Sequence, residues 1–72
     1  MSIYDHYKGG VYIKLEEAEH SETGETLVIY QCVTTGKIYA RPKEMFYGDV
    51  SKEDYEGKRF VKREEFYAKE IE

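Results

Sequence analysis

The stretch TLVIYQCVTTGKIYAR, residues 26–41, decides the fold class. Residues 27–33 are rich in β-branched and aromatic side chains and place apolar groups on both faces of an extended chain, which is typical of a central strand. The sequence TTG at residues 34–36 separates this run from residues 37–41, and a three-residue connection that ends in glycine is typical of a hairpin. The stretch therefore predicts two antiparallel strands.

A further strand is predicted upstream, at about residues 11–16, where the run VYIKLE places every second apolar side chain on one face. Gly9 and Gly10 precede it and can adopt backbone angles that are closed to other residues, so the chain can turn tightly into the strand. Residues 17–25 are polar and are interpreted as a loop, or as a continuation of this strand followed by a loop.

Downstream, Pro42 lacks an N–H donor and has a fixed φ that suits the first position of a helical turn. Residues 42–45 therefore predict one turn of 3₁₀ type, which delivers Met45 and Phe46 to the core. Residues 46–50 predict a late strand. A polar segment follows it, and residues 59–61 are expected to return as the second strand of a hairpin.

Short strands, tight turns and one helical turn before a late strand predict a mainly β domain, a small SH3-like five-stranded barrel that is closed or partly open. We place this single domain at residues 1–61 and treat residues 62–72, which favour a short helix by propensity, as a C-terminal extension. A chain of 72 residues buries only about 60% of its unfolded surface. Its eight Tyr and three Phe must therefore supply much of the core.

Charge and cysteine content exclude several classes of protein. The formal net charge of −4 lacks the basic excess that phosphate-backbone binding requires, so we expect no nucleic-acid partner. The single Cys32 cannot form an intrachain disulfide and fits a reducing compartment, so we expect a cytoplasmic protein. No apolar run reaches the roughly 20 residues of a membrane span, and the N-terminal sequence lacks a signal peptide, so no membrane association is expected.

Four short motifs occur in a fixed order: HYKGG at residues 6–10, HSETGE at 20–25, VIY at 28–30 and RPKEMF at 41–46. Together they closely resemble the motifs HYKG, HSETxE, VVYR and RPxEMF of the small bacterial and phage family called domain of unknown function 1653. The resemblance covers about residues 4–61 and implies a mainly β fold with no established activity. The chain departs from the family pattern at Gln31, where many members have Arg, and in residues 62–72, which extend past the usual family end.

Catalytic and metal chemistry are both expected to be absent. His20, Ser21 and Glu22 are hydrolase residue types, but adjacent residues rarely face one another as nucleophile, base and orienter. We interpret Ser21, Glu22 and Thr23 as turn formers that hydrogen-bond the loop backbone, with His20 donating to a backbone carbonyl. A metal site would require four distant side chains to converge, those of His6, His20, Cys32 and Asp49. We therefore expect no enzyme and no cofactor, and we assign Cys32 to the core.

Arg41 is the residue with the clearest binding chemistry. The leading interpretation is that Arg41 forms an ion pair with Glu44 across the turn. The alternative is that its guanidinium presents two parallel N–H donors to a carboxylate or phosphate of a ligand. Cross-strand packing is the preferred role for Tyr12, Tyr30 and Tyr39. The loop after the first predicted strand and the turn before the late strand are expected to meet in one polar patch. The predicted binding residues are Tyr7, Lys8, His20, Glu22, Arg41, Glu44 and Tyr47.

Two functions follow from these expectations. The first is a non-enzymatic interaction module that recognises a peptide or protein segment in an aromatic groove, as small SH3-like barrels often do. The second is a small-ligand or nucleotide-binding regulatory protein of a bacterium or phage, which uses Arg41, His20 and a stacked Tyr. A concave Tyr-lined pocket that contains Arg41 favours the second, and a shallow open groove favours the first. The apolar Phe66, Tyr67 and Ile71 predict docking of the extension on the barrel or on a second copy, as in a homodimer.

Overall fold

The computed structural model describes residues 2–63. Within these residues, seven strands and one helical turn follow one another: β1 (Ser2–His6), β2 (Val11–Glu19), β3 (Thr26–Cys32), β4 (Ile38–Pro42), α1 (Lys43–Phe46), β5 (Asp49–Lys52), β6 (Tyr55–Lys58) and β7 (Phe60–Lys62). β7 runs one residue beyond the predicted domain boundary. The rest of the predicted C-terminal helix, from residue 64 onward, lies outside the described residues. Within residues 2–63 no helix is long or apolar enough to cross a lipid bilayer.

Five strands form one antiparallel sheet in the order β4-β3-β2-β1-β7, and β5 and β6 form a separate hairpin. The mainly β prediction is confirmed. β2 continues to Glu19, so the polar residues after the predicted strand belong partly to the strand, with a bulge between Lys14 and Glu16. In residues 2–63, β4 and β7 are the two edges of the sheet and do not pair with each other, so the described sheet is open.

The hairpin of β3 and β4 forms as predicted. β3 pairs with β4 from Leu27 opposite Pro42 to Gln31 opposite Ile38, and the Gly36 N–H donates to the Cys32 carbonyl at 2.8 Å. At the same end of the sheet, where the Val33 N–H donates to the Val11 carbonyl at 2.9 Å, the predicted freedom of Gly9 and Gly10 is used, because both have positive φ angles, of 112° and 95°.

β1 was not predicted from the sequence. Its five residues pair with β2 from Ser2 to Asp5 and with β7 from Tyr4 to His6. The strand therefore lies between β2 and β7 and joins the two terminal parts of the described chain. Its period-2 pattern is obscured because Asp5 and His6 interrupt a very short apolar run.

The helical turn is α and not 3₁₀. The Tyr47 N–H donates to the Lys43 carbonyl at 3.1 Å, which is the i to i−4 bond of an α-helix. Pro42 is the residue before the helix, with φ −52°, and also the last residue of β4. Phe46 is fully buried, as predicted, but Met45 is 46% exposed. Neighbouring positions on a helix point about 100° apart, so a single turn delivers one of them to the sheet and not both.

The predicted second hairpin is wrong in its partners. Asp49–Lys52 pairs with Tyr55–Lys58, so the reversal lies at residues 53–54. β7 instead pairs with β1. The Arg59 N–H donates to the Gly48 carbonyl at 3.0 Å, and this bond marks the point where the chain leaves the hairpin for the sheet.

The core lies on one face of the large sheet, called here the inner face. Phe46 from α1 stacks on Phe60 with ring centroids 4.2 Å apart, and the edges of Tyr4 and Tyr30 meet it at 5.1 and 5.2 Å. Val28 completes the buried cluster. Aromatic rings thus supply most of the buried surface of this small domain.

We predict that Phe46→Ala largely unfolds the domain. Truncating a fully buried Phe costs about 3–5 kcal/mol, and a domain of this size has a net stability of roughly 5 kcal/mol or less. Met45→Ala is the matched control, since this exposed neighbour should change stability by less than about 0.5 kcal/mol. Urea unfolding followed by circular dichroism, with NMR dispersion, measures both. A native-like Phe46→Ala spectrum would contradict the assigned core.

Candidate functional site

A concave pocket of about 260 Å³ opens on the inner face of the sheet. Its walls are aromatic rings, one of them an imidazole, together with one guanidinium group. It is lined by His6, Tyr12, Tyr30, Tyr39, Arg41 and Phe60. These six residues come from all five strands of the large sheet, so the pocket spans the width of the sheet. We call it the tyrosine-arginine pocket.

The rings of the pocket hold one another in place. Tyr30 and Tyr39 are directly opposite each other on β3 and β4, and they stack with centroids 5.7 Å apart. Tyr12 meets both Tyr30 and Phe60 edge-on at 5.6 Å. Tyr30 and Phe60 are buried, whereas Tyr39 is 42% exposed. The pocket therefore has a fixed aromatic floor and one accessible tyrosine at its rim.

Arg41 is the cationic group of this pocket. Its Nε donates to the Tyr30 hydroxyl at 3.0 Å, and its Cζ lies 5.9 Å from the centre of the Phe60 ring. The ion pairs within residues 2–63 involve Lys14, Lys43, Lys58 and Arg63, and none of them involves Arg41. The contacts of Arg41 in the described chain thus use Nε and leave its two terminal nitrogens for another acceptor.

The predicted ion pair between Arg41 and Glu44 is not formed. Arg41 is opposite Val28 in the strand register, on the inner face. Glu44 is exposed on α1 and lines a different recess, with Glu25 and Pro42 among its neighbours. The change from strand to helix between the two residues removes the i,i+3 proximity, which holds only when both residues lie within one helix.

His6 and Arg59 add positive or proton-donating groups near this pocket. The Nδ1 of His6 accepts the Lys8 N–H at 3.1 Å, so the neutral imidazole carries its proton on Nε2. Burial, and then the charges of Arg41, Arg59 and Lys8, hold the pKa of His6 below its ordinary value of 6.5. In residues 2–63 the Nε of Arg59 is buried without a hydrogen-bond partner. This region is locally positive in a chain of net charge −4, which suits an anion.

The predicted Tyr7 and Lys8 lie in a separate recess. Tyr7 stacks on Tyr55 at 5.2 Å, and the Lys8 ammonium lies 5.9 Å from the Tyr7 ring centre. Lys52 and Asp54 complete the lining of this recess. Its position is the turn between β1 and β2, where the chain reverses through Gly9 and Gly10.

His20 and Glu22 lie at the opposite end of β2. The Nδ1 of His20 accepts the backbone N–H groups of Glu22, at 3.1 Å, and Thr23, at 3.4 Å. The predicted role as a turn former holds, with the imidazole as acceptor and not as donor. β2 spans nine residues at about 3.3 Å each, so roughly 30 Å separates this turn from Tyr7 and Lys8. The predicted loop and turn do meet, because Glu25 and Glu44 line one recess, but Tyr7 and Lys8 line another, so the single polar patch is not formed.

Tyr47 packs against the core, 5.0 Å from the ring of Phe46, and its hydroxyl accepts a hydrogen bond from the Lys14 ammonium at 2.8 Å. Tyr47 also lines a second, largely apolar recess, called here the lysine groove. Its lining residues are Tyr4, Tyr47, Lys58, Phe60, Val61 and Lys62. Burial is the main cause that raises the pKa of Tyr4 to about 12. Phe60 belongs to both the lysine groove and the tyrosine-arginine pocket.

Among the residues that the structure describes, no group of three or more His, Cys, Asp or Glu is placed to hold a metal ion. Cys32 is buried in β3, as the sequence predicted. The pocket residues other than Arg41 were not among the predicted binding residues. The sequence did contain a signal for Tyr39, because Tyr39 and Arg41 are two residues apart on a strand and so share a face. It contained no such signal for His6, whose position in the pocket depends on the unpredicted strand β1.

We predict that lowering the pH from about 7.5 to 5.5 reduces the free energy of unfolding through His6. Because the pKa of His6 is lowered in the folded state, the unfolded state binds this proton more readily. The contribution of neutral His6 to the free energy of unfolding is therefore present above pH 6.5, the ordinary pKa of His, and is lost as the pH falls further. The pKa values of Asp5 and Glu17 are also lowered, by Arg63 and by Lys14 with Lys43, but from ordinary values of 3.8 and 4.5, below this pH window.

Urea unfolding at the two pH values measures this effect in the wild type and in His6→Asn. The Oδ1 of Asn can still accept the Lys8 N–H but does not titrate. We expect a smaller pH-dependent loss of stability in the variant. An equal loss in both proteins would show that His6 is not the responsible group.

Comparison with known proteins identifies a solved structure of the same fold and assigns no activity to it. A crystal structure of a DUF1653 protein from Bordetella bronchiseptica is similar, with a TM-score of 0.73 and 27% sequence identity, over 82% of this chain and 80% of that chain. No curated protein matches the chain. The family model described as "Protein of unknown function (DUF1653)" matches residues 2–62, which is most of the chain. This confirms the resemblance seen in the four sequence motifs, and the chain belongs to the DUF1653 family.

Proposed function

We propose that the domain is a non-enzymatic binding protein whose site is the tyrosine-arginine pocket and whose ligand is a small anion that carries a flat ring. The observation that carries this proposal is Arg41, which lies among aromatic rings with no carboxylate partner in the described chain. A concave Tyr-lined pocket that contains Arg41 was the feature expected of a small-ligand protein, and it favours that function over a shallow peptide groove.

Each pocket residue has a chemical part in this proposal. The guanidinium of Arg41 offers paired N–H donors that match a carboxylate or phosphate, and Nε2–H of His6 is a further donor. The exposed face of Tyr39 can stack on a planar ring. A volume of about 260 Å³ lies just below the 300–1,000 Å³ range of drug-sized sites, so the pocket suits a ligand at or below the small end of that range.

Recognition of a peptide or protein segment is the second candidate function. It is favoured by the lysine groove, which shares Phe60 with the pocket and carries two cationic side chains over an apolar floor. A segment with an acidic and an aromatic side chain would use the same chemistry as the small anion. The two candidate ligands differ in the surface they cover. A peptide segment would cover both the lysine groove and the tyrosine-arginine pocket, whereas a small anion would occupy the pocket alone.

The finer fold class and location belong to this proposal as well. We propose an SH3-like, partly open barrel, because an antiparallel meander is followed by one helical turn before the late strands. We also propose that the protein acts in the cytoplasm of a bacterium or phage-infected host, since one buried cysteine suits a reducing compartment. No cofactor enters the proposed function.

We predict that AMP binds in the tyrosine-arginine pocket more tightly than adenosine or inorganic phosphate. AMP combines a flat ring with an anion, adenosine lacks the anion and phosphate lacks the ring. Titrations of ¹⁵N-labelled protein, followed by amide chemical shifts, measure the three affinities. The largest shifts should fall at Tyr30, Tyr39 and Arg41. Equal affinity for AMP and adenosine, or shifts confined to other surfaces, would contradict the proposal.

We predict that two substitutions weaken AMP binding while the fold is kept. Tyr39→Ala removes a stacking surface worth about 1–3 kcal/mol, or roughly 5- to 150-fold in affinity. Arg41→Lys keeps the charge but loses the planar fork, with an expected loss of about tenfold or more. Lys43→Ala, an exposed charge change on α1, is the control and should leave affinity unchanged. Folded variants that bind AMP like the wild type would exclude the pocket.

A further inference from the structure

The face of the large sheet opposite the core, called here the outer face, is also apolar. Strand register places Ile3 opposite Ile13 and Ile29 opposite Ala40 on this face. Ile38 and Val61, at its two edges, are 60% and 48% exposed. Antiparallel sheets with one solvated face normally alternate apolar and polar residues. An outer face this rich in branched apolar side chains is therefore suited to being covered.

The described chain leaves the sheet beside this face. The Arg63 N–H donates to the Ile3 carbonyl at 2.9 Å, which extends the pairing of β7 with β1 past Lys62. The Arg63 guanidinium binds both carboxylate oxygens of Asp5, with Nε to Oδ2 at 2.8 Å and Nη2 to Oδ1 at 2.9 Å. Asp5 is opposite Val61 on the outer face, so this bidentate contact fixes the exit of the chain on the outer side.

The sequence that follows Arg63 has the pattern of a segment with one apolar side. Phe66, Tyr67 and Ile71 are three, four and eight residues beyond Arg63. At helical spacing these positions lie on one side, the side of Arg63 itself. Glu65, Lys69 and Glu72 occupy the opposite side, and Glu64, seven residues before Ile71, borders the apolar side.

We propose that the outer face is the docking site of this chain's own residues 64–72, with Phe66, Tyr67 and Ile71 on the cluster of Ile3, Ile13 and Ile29. Ile3 and Ile13 are directly opposite each other, and Ile29 is diagonal to Ile13, two positions from Gln31, which is the direct partner of Ile13. The dimensions agree. Nine helical residues span about 14 Å, and three strand spacings, from β7 across β1 and β2 to β3, also span about 14 Å.

A tethered segment has an advantage over any free partner. The segment begins at the edge of the face, so its effective concentration there is on the order of millimolar or higher without a long linker. A second copy of the chain would have to reach that concentration in solution to compete. The docking is independent of the tyrosine-arginine pocket, which opens on the inner face.

Methyl-labelled full-length protein tests the proposal directly. We expect nuclear Overhauser contacts from the ring protons of Phe66 and Tyr67 to the methyl groups of Ile3 and Ile13. Absence of these contacts would overturn the proposal. Contacts that appear between differently labelled copies in a mixed sample, together with a dimeric mass in light scattering, would assign the face to a second copy and would also overturn it.

Two substitutions that introduce the same carboxylate provide a functional test in the full chain. We predict that Tyr67→Asp shifts the Ile3 and Ile13 methyl resonances and raises the fluorescence of a bound apolar dye several-fold, because the outer face becomes accessible. Ala68→Asp is the matched control, since its neighbouring position points about 100° away at helical spacing. The core cluster and the pocket, as residues 2–63 form them, are left unchanged in both variants. Equal spectra for the two variants would contradict the proposed docking.

Discussion

The burial of the Phe46 ring against the inner face is the interaction on which the rest of the structure depends. A single open sheet cannot enclose a core, so α1 must bring an apolar group onto it. Phe46 fills this role with a stack on Phe60 at 4.2 Å. The chain then has to leave the turn without displacing the ring, and Gly48 permits this. A Cβ at that position would lie 2.6 Å from the Glu44 carbonyl oxygen.

The aromatic core and the candidate site share the same rings. Tyr30 and Phe60 pack on Phe46 on one side and form the floor of the tyrosine-arginine pocket on the other. Tyrosine suits this double role because its ring packs as an apolar group while its hydroxyl takes a polar partner, here the Nε of Arg41. The stability of the core therefore preorganises the pocket, and a ligand finds its aromatic walls already in place.

The sequence predicted those parts of the fold that depend on local patterns. The β3 and β4 hairpin follows from a β-branched run and its turn, and Phe46 follows from the position of Pro42. β1 and the partners of β5 and β7 depend on pairing between distant segments, and short strands carry too weak a period to specify it. The site was only partly predictable for the same reason. Arg41 was identified by its chemistry, but its partner is Tyr30 across the sheet and not the neighbouring Glu44.

The charge distribution then determines which partners the pocket can accept. The chain as a whole is acidic, with a net charge of −4, whereas the region around His6 holds Arg41 and Arg59, whose charges add to the effect of burial in lowering the pKa of His6. Exposed charges act over about 8–10 Å at physiological ionic strength. A polyanion that covers a large surface therefore meets the acidic exterior and is repelled, while a small anion senses chiefly the nearby guanidinium groups. The proposed function is consistent with this charge balance, because a compact anionic ligand meets chiefly the guanidinium groups, so the proposal makes size as well as charge a condition for binding.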